Sequence, residues 1–157
     1  MKRIKLTHGK FALVDDEDFE KIYKYSWHLK CTWGIYYAMG WEVSNGKHIL
    51  MHRLIMGAKK DQKIDHIDGN GLNNQRKNLR FATNSQNQAN CRKQKRKTSS
   101  KFKGVCWDNR DKRWLAYIKK DQKAYRLGSF HSEIKAARIY NKKAIELFGE
   151  FARLNII

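Results

Sequence analysis

Acidic residues are scarce in this sequence: 15 Asp and Glu stand against 34 Lys and Arg, leaving a formal charge of +19. Such self-repulsion in a chain of 157 residues calls for a polyanion to offset it, and nucleic acid is the leading partner. On charge alone the competing reading is a solvated basic surface or a ribosome-like structural protein. No apolar run reaches about 18 residues, and no basic amphipathic helix has a clean apolar face, so a membrane partner is not expected. Met1-Lys2-Arg3-Ile4 does not lead into the apolar core and cleavage site of a secretory signal, so the expected location is the cytosol. Cysteine is sparse too. Cys31, Cys91 and Cys106 never fall at CxxC spacing, which excludes a disulfide framework and a four-cysteine zinc ribbon. Any metal site must then use oxygen and nitrogen ligands. A leucine-rich helix or heptad run is missing as well, so no dimer seam and no protein partner are evident, and a monomer is expected.

What is present suffices for compact cores: 41% of residues are hydrophobic and 12% aromatic, with five Trp and seven Tyr. The length accommodates two small domains. Residues 88–103 carry Arg92, Lys93, Lys95, Arg96, Lys97, Lys101 and Lys103, no acid, and Thr98-Ser99-Ser100, and read as a basic linker. The expected division is 1–90, a linker at 91–100, and 101–157. Before the linker, 10–14 reads as a strand, Asp15-Asp16 as the cap of a helix with Phe19, Ile22 and Tyr23 on one face, and 33–39 and 48–51 as strands separated by a turn at Ser44-Asn45-Gly46. After it come strands at 103–107, 113–119 and 124–130, with turns at Asp108-Asn109-Arg110-Asp111 and Asp121-Gln122. Alternation puts Trp114, Ala116 and Ile118 on one face and Arg113, Leu115, Tyr117 and Lys119 on the other. Ser132 can cap a final helix with Ala137, Tyr140, Ala144 and Phe148 at core spacing, and Gly149 can end it. The fold class is α+β.

The chemistry concentrates in Ile64-Asp65-His66-Ile67-Asp68-Gly69-Asn70-Gly71-Leu72-Asn73-Asn74, continuing to Asn78-Leu79-Arg80 and to Thr83-Asn84-Ser85-Gln86-Asn87. Asp65 and His66 end a short strand, a Gly- and Asn-rich loop follows, then a second strand near 79–82, and Thr83 can cap a helix carrying Asn87. Folding these together could bring the Asn87 amide oxygen near the Asp65 carboxylate. Two oxygen ligands with several waters suit a hard cation such as Mg²⁺. His66 points the other way on its strand, where an imidazole can accept a proton from water near neutral pH.

These residues, with His52-Arg53-Leu54-Ile55-Met56 upstream, resemble the HNH family, in the branch of phage and intron-associated homing endonucleases with the ββα-metal fold. The resemblance covers about 50–90. It implies that Asp65 and Asn87 bind one divalent ion, Mg²⁺ or Mn²⁺, that His66 is the general base, and that Asn78 braces the loop and orients the histidine. It makes Arg53 a candidate for contact with the scissile phosphate. Asn87, where other branches often have His, argues for a magnesium-like ion and against zinc. His52 has two readings, a helix-start residue or a site residue. Asp68 also has two, a turn former for Gly69-Asn70 or a second metal ligand.

The C-terminal segment resembles the AP2 domain, a three-stranded antiparallel sheet backed by one helix. The resemblance rests on Ser100-Lys101-Phe102-Lys103-Gly104-Val105, Trp114-Leu115-Ala116-Tyr117-Ile118, Leu127-Gly128-Ser129-Phe130, Ala136-Ala137-Arg138-Ile139-Tyr140 and 148–155. In that family the sheet lies in the DNA major groove, which implies DNA contact by Lys103, Arg113, Tyr117, Lys119 and Arg126. Cys106 and Tyr117 depart from residues common in the plant members, so the plant-type target is not implied. Together the resemblances imply an HNH homing endonuclease acting on double-stranded DNA, in a bacterial or phage-infected cell; one Asp65, one His66 and one Asn87 per chain make one metal site, so a monomer is expected to nick. The alternatives are a non-catalytic DNA-binding regulator that keeps the nuclease fold and an RNA-binding structural protein.

Overall fold

The computed structural model describes residues 1–42, 46–93 and 98–157. The chain forms a mixed α+β structure that divides into two compact units, Met1–Thr83 and Asn84–Ile157. Among the described residues no helix is long and apolar enough to cross a membrane.

In the first unit β1 (Lys2–Lys5) pairs antiparallel with β2 (Phe11–Val14), whose alternation turns Ala12 and Val14 into the core. A 3-10 turn and α1 (Phe19–Ile22) follow. Asp15 does not cap them with its side chain. Its carboxylate accepts instead from Gln75 Nε2 at 2.9 Å and from the Arg76 backbone N–H at 2.8 Å. The expected shared face of Phe19, Ile22 and Tyr23 reduces to Ile22, because a single turn of helix cannot present a stripe and Tyr23 is 63% exposed. Buried Asp18, 1% exposed, is held by the Arg76 guanidinium, with Nε–Oδ2 2.8 Å and Nη2–Oδ1 2.6 Å.

A second antiparallel sheet runs β3 (Ser26–Thr32), β4 (Ile35–Glu42), β5 (Lys47–Leu50), in that order. β4 begins later than the expected 33. Trp33 and Gly34, at φ 53° and 78°, form the two-residue turn that joins β3 to β4. β5 ends at Leu50, one residue short of the expected 48–51, and Met51 opens α2 (Met51–Met56), in keeping with the helix-start reading of His52; the helix buries Met51, His52 and Ile55. Ser44 and Asn45 of the expected turn lie outside the described residues. β6 (Lys63–His66) and β7 (Leu79–Ala82) pair antiparallel where the motif places them, with Asp65 opposite Arg80 and His66 opposite Leu79. Leu6, Val14, Ile22, Trp27, Met51, Ile55 and Leu79 share one core. Burial of each large aliphatic side chain there contributes about 1.5–3 kcal/mol.

The second unit starts with α3 (Asn84–Asn90). The expected boundary at 90 therefore moves to 83, because Ala89 is buried with Ile118, Tyr140, Ala144 and Phe148 and its carbonyl accepts from the Arg153 N–H at 3.2 Å. Part of the expected linker is also tied down. Ser100 Oγ donates to Glu133 Oε1 and accepts from the Phe102 N–H, while Ser99 Oγ accepts from the Trp107 N–H. Residues 94–97 of that linker lie outside the described residues. β8 (Val105–Asp108), β9 (Arg113–Lys120) and β10 (Lys123–Phe130) form an antiparallel sheet in the order β10-β9-β8. Asp121 and Gln122, at φ 48° and 66°, make the tight turn expected there. Ala116 and Ile118 are buried under α4 (Glu133–Phe148), which Ser132 caps by accepting from the Lys135 N–H. Gly149, at φ 52°, ends the helix as expected, since a side chain is disfavoured at that angle.

Candidate active site

The loop between β6 and β7 hangs on the N-terminal strand. Leu13 N–H donates to Leu72 O and Asn74 N–H to Leu13 O, both at 2.8 Å, while Asp15 holds Gln75 and Arg76. Gly71 lies flat against β4: an added Cβ would stand 2.6 Å from the Tyr37 ring and closer still to the Tyr36 carbonyl oxygen. Inside the loop the Asn78 amide is a brace. Its Nδ2 donates to Asp68 Oδ1 at 3.0 Å and Asn73 O at 2.8 Å, and its Oδ1 accepts from the Asp68 N–H at 3.0 Å.

Asp68 also accepts from the Asn70 N–H at 2.7 Å and Asn73 Nδ2 at 2.9 Å, the bonds of a turn former. Burial raises its pKa, but the donors outweigh that and the net shift is downward.

Asp65 and His66 leave β6 on opposite sides. The Asp65 carboxylate is buried against Arg80, whose Nε and Nη2 both reach Oδ2 at 2.9 Å. His66 is buried among Asn74, Tyr37 and His52, with ring centroids 5.9 Å from Tyr37 and 4.9 Å from His52. Its Nε2 lies 3.3 Å from Asn74 Oδ1. Asn74 Nδ2 donates to Leu72 O, which fixes the amide so that its oxygen faces the imidazole. An amide oxygen only accepts, so this contact places the ring hydrogen on Nε2 and the basic lone pair on Nδ1. Burial lowers the His66 pKa below 6.5, partly countered by Asn74, Asp68 and Asp65, and the ring is neutral at pH 7.

Arg53 takes a structural position. Its guanidinium donates to the Gln62, Ala58 and Lys59 carbonyls at 2.6, 3.4 and 2.7 Å, closing the turn that follows α2. Asn87 sits on α3 in the second unit. Asn74, Tyr37 and Arg80 complete the surroundings of the Asp65-His66 pair. Asn74 and Arg80 lie inside the motif without a role readable from sequence, and Tyr37 left no signal.

A family model described as HNH endonuclease matches residues 45–89. A protein of Acanthamoeba polyphaga mimivirus named as an HNH endonuclease is 37% identical over 152 residues, 95% of this chain and 76% of that protein. The chain belongs to the HNH endonuclease family. Protein 3.8 of Escherichia phage T7 is 34% identical over 113 residues, 72% of this chain and 84% of that protein. No solved structure matches.

This HNH endonuclease is thus a nuclease, and its family implies DNA as substrate and a divalent metal ion as cofactor. Asp65 offers a buried carboxylate, fixed in direction by Arg80, that fits a divalent ion held through oxygen.

In the second unit Arg113, Tyr117, Lys119 and Arg126 are exposed on the sheet face opposite Ala116 and Ile118, with Arg126 paired across from Tyr117. Lys103 departs from the sheet-face assignment. It precedes β8, and its ammonium donates to the Gln88, Ala89 and Cys91 carbonyls at 3.1, 2.5 and 2.7 Å, holding the end of α3. Burial pushes its pKa down to about 8, a shift Arg153 adds to and Cys91 opposes.

Proposed function

We propose that the protein is a homing-type endonuclease that hydrolyses phosphodiester bonds in double-stranded DNA, nicking one strand at a time. The observation that carries this reading is His66: a buried imidazole whose Nε2 lies 3.3 Å from Asn74 Oδ1, next in sequence to a buried carboxylate on the opposite side of β6. In this reading His66 takes a proton from the attacking water. Asp65, with Asn87 as the second oxygen donor that the family resemblance supplies, would hold one Mg²⁺ or Mn²⁺ ion. The ion supplies charge stabilisation at the leaving oxygen. Asn78 keeps the loop rigid, and Arg80 orients Asp65. Arg53, engaged with three carbonyls, stays outside the chemical step. The second unit serves as an AP2-type DNA-binding module through Arg113, Tyr117, Lys119 and Arg126, an arrangement supported by a basic sheet face left open by the helix behind it.

One such site places one water in line with one phosphate, so a monomer nicks. The test is a time course on supercoiled plasmid with Mg²⁺ and with EDTA, at enzyme stoichiometric to sites. Open circles appear first and only with the metal. Linear product with no open-circle intermediate, from a free protein that sediments as a dimer, contradicts the nickase reading.

A further inference from the structure

Trp33 is 92% exposed, in a protein whose other four tryptophans are buried or at least half covered. It sits at φ 53° in the two-residue turn between β3 and β4, a conformation rarely adopted by a bulky side chain. The turn stands clear: a Cβ built on the neighbouring Gly34 meets nothing within 4 Å.

The hairpin that carries it is joined to the catalytic loop. β4 runs from the turn through Tyr36 and Tyr37, against which Gly71 lies with no room for a Cβ, and the Tyr37 ring packs on His66. Trp33 and Tyr37 are four positions apart along the chain, a distance of at most about 13 Å. The Tyr37 ring centroid lies a further 5.9 Å from that of His66, and DNA stacks at about 3.4 Å per base along a strand, so Trp33 stands within about six base steps of the catalytic histidine.

The flanks of the hairpin are cationic. Lys30 is exposed and paired across from Tyr37 on one face, and Lys10 lies 6.0 Å over the Tyr36 ring on the other. Residues 26–41 contain no acid. An exposed indole at the tip of a hairpin that carries no acid between 26 and 41, flanked by Lys30 and Lys10 and anchored to a nuclease loop, matches one partner chemistry. That partner is stacked bases flanked by phosphates.

We infer that the β3–β4 hairpin is a DNA wedge, with Trp33 inserting between base pairs of the duplex within about six steps of the scissile phosphate while Lys30 and Lys10 meet the flanking backbone. Inserted apolar side chains unstack a step and kink the duplex, which would turn the phosphate toward His66. The inference rests on the reading that duplex DNA lies across His66.

The test is a topology assay with the full chain carrying His66→Ala. Relaxed closed-circular plasmid is treated with topoisomerase I in EDTA in the presence of the protein, deproteinised and resolved. Insertion lowers the twist, so the expected result is a shift toward negative linking number that grows with bound protein. Trp33→Gly, which suits the turn geometry, should abolish the shift and weaken plasmid binding about tenfold, with an unchanged melting temperature. Trp33→Phe should keep most of both. No shift with Trp33 present, or an equal shift with Trp33→Gly, overturns the inference. So does a finding that Trp33→Gly alters only the sedimentation of the free protein, which would make Trp33 a protein contact. Because the assay runs without catalysis, its failure is distinct from a failure of the wild-type protein to nick.

Discussion

The His52 ring stands edge-on to the His66 ring, with centroids 4.9 Å apart and planes at 83°. His52 is buried, and its Nδ1 has no hydrogen-bond partner, an arrangement tolerable only for a neutral imidazole. Burial, with His66 and Arg53 adding to it, lowers the His52 pKa to about 3.

The first prediction follows from that shift. Unfolding exposes His52 to water, where its pKa returns to about 6.5, so below that pH the unfolded chain binds a proton that the folded one does not. Stability should be unaffected by this group above pH 6.5 and fall as pH drops toward 3, by up to about 1.4 kcal/mol per pH unit. His52→Leu should flatten that part of the profile. Thermal melts of the metal-free protein between pH 7 and 4.5 check this, and an equal slope in both proteins would rule it out.

The Asp18–Arg76 pair gives the second. Arg76→Ala leaves a carboxylate that is 1% exposed with Lys21, 3.7 Å away, as its one remaining cation among the described residues. The loss should be about 3 kcal/mol, the low end for breaking a buried pair because Arg76 itself is half exposed. Denaturant unfolding measures it. Cleavage assayed well below the melting temperature should stay within a few-fold of wild type, because neither side chain touches the Asp65-His66 pair.

Two lysines of the second unit should behave in opposite ways. Lys119→Ala removes an exposed sheet-face cation and should reduce the log–log salt slope of DNA binding by about 0.9 with little change in melting temperature. Lys103→Met should leave that slope unchanged and lower the melting temperature, since it removes three bonds to the end of α3. Salt titrations and melts on both variants separate the two roles.

The motif region was legible because its chemistry is local. β6 and β7 lie where Asp65-His66 and Leu79 place them, and the bonds of Asn78 follow from its position inside the loop it braces. Partners distant in sequence were not legible. Tyr37 reaches His66 from another sheet, and Asp15 reads as a helix cap although it holds Gln75 and Arg76, some sixty residues away. The AP2 resemblance puts Lys103 on the sheet face, but the strand starts only at Val105 and the Lys103 ammonium turns to the carbonyls at the end of α3. α3 has one apolar residue in Asn-Ser-Gln-Asn-Gln-Ala-Asn, too few to show by periodicity that Ala89 packs into the C-terminal core. His52, left between two readings, proves to be in contact with His66.

In the proposed function His66 activates the water that cuts DNA. This role is tested most directly by single-turnover cleavage of supercoiled plasmid by wild-type and His66→Ala proteins in Mg²⁺, with DNA affinity measured on the same preparations. The expected rate for His66→Ala is lower by about 10²- to 10⁴-fold, with affinity within about twofold because the sheet-face cations are untouched. Wild-type turnover by His66→Ala would contradict that role.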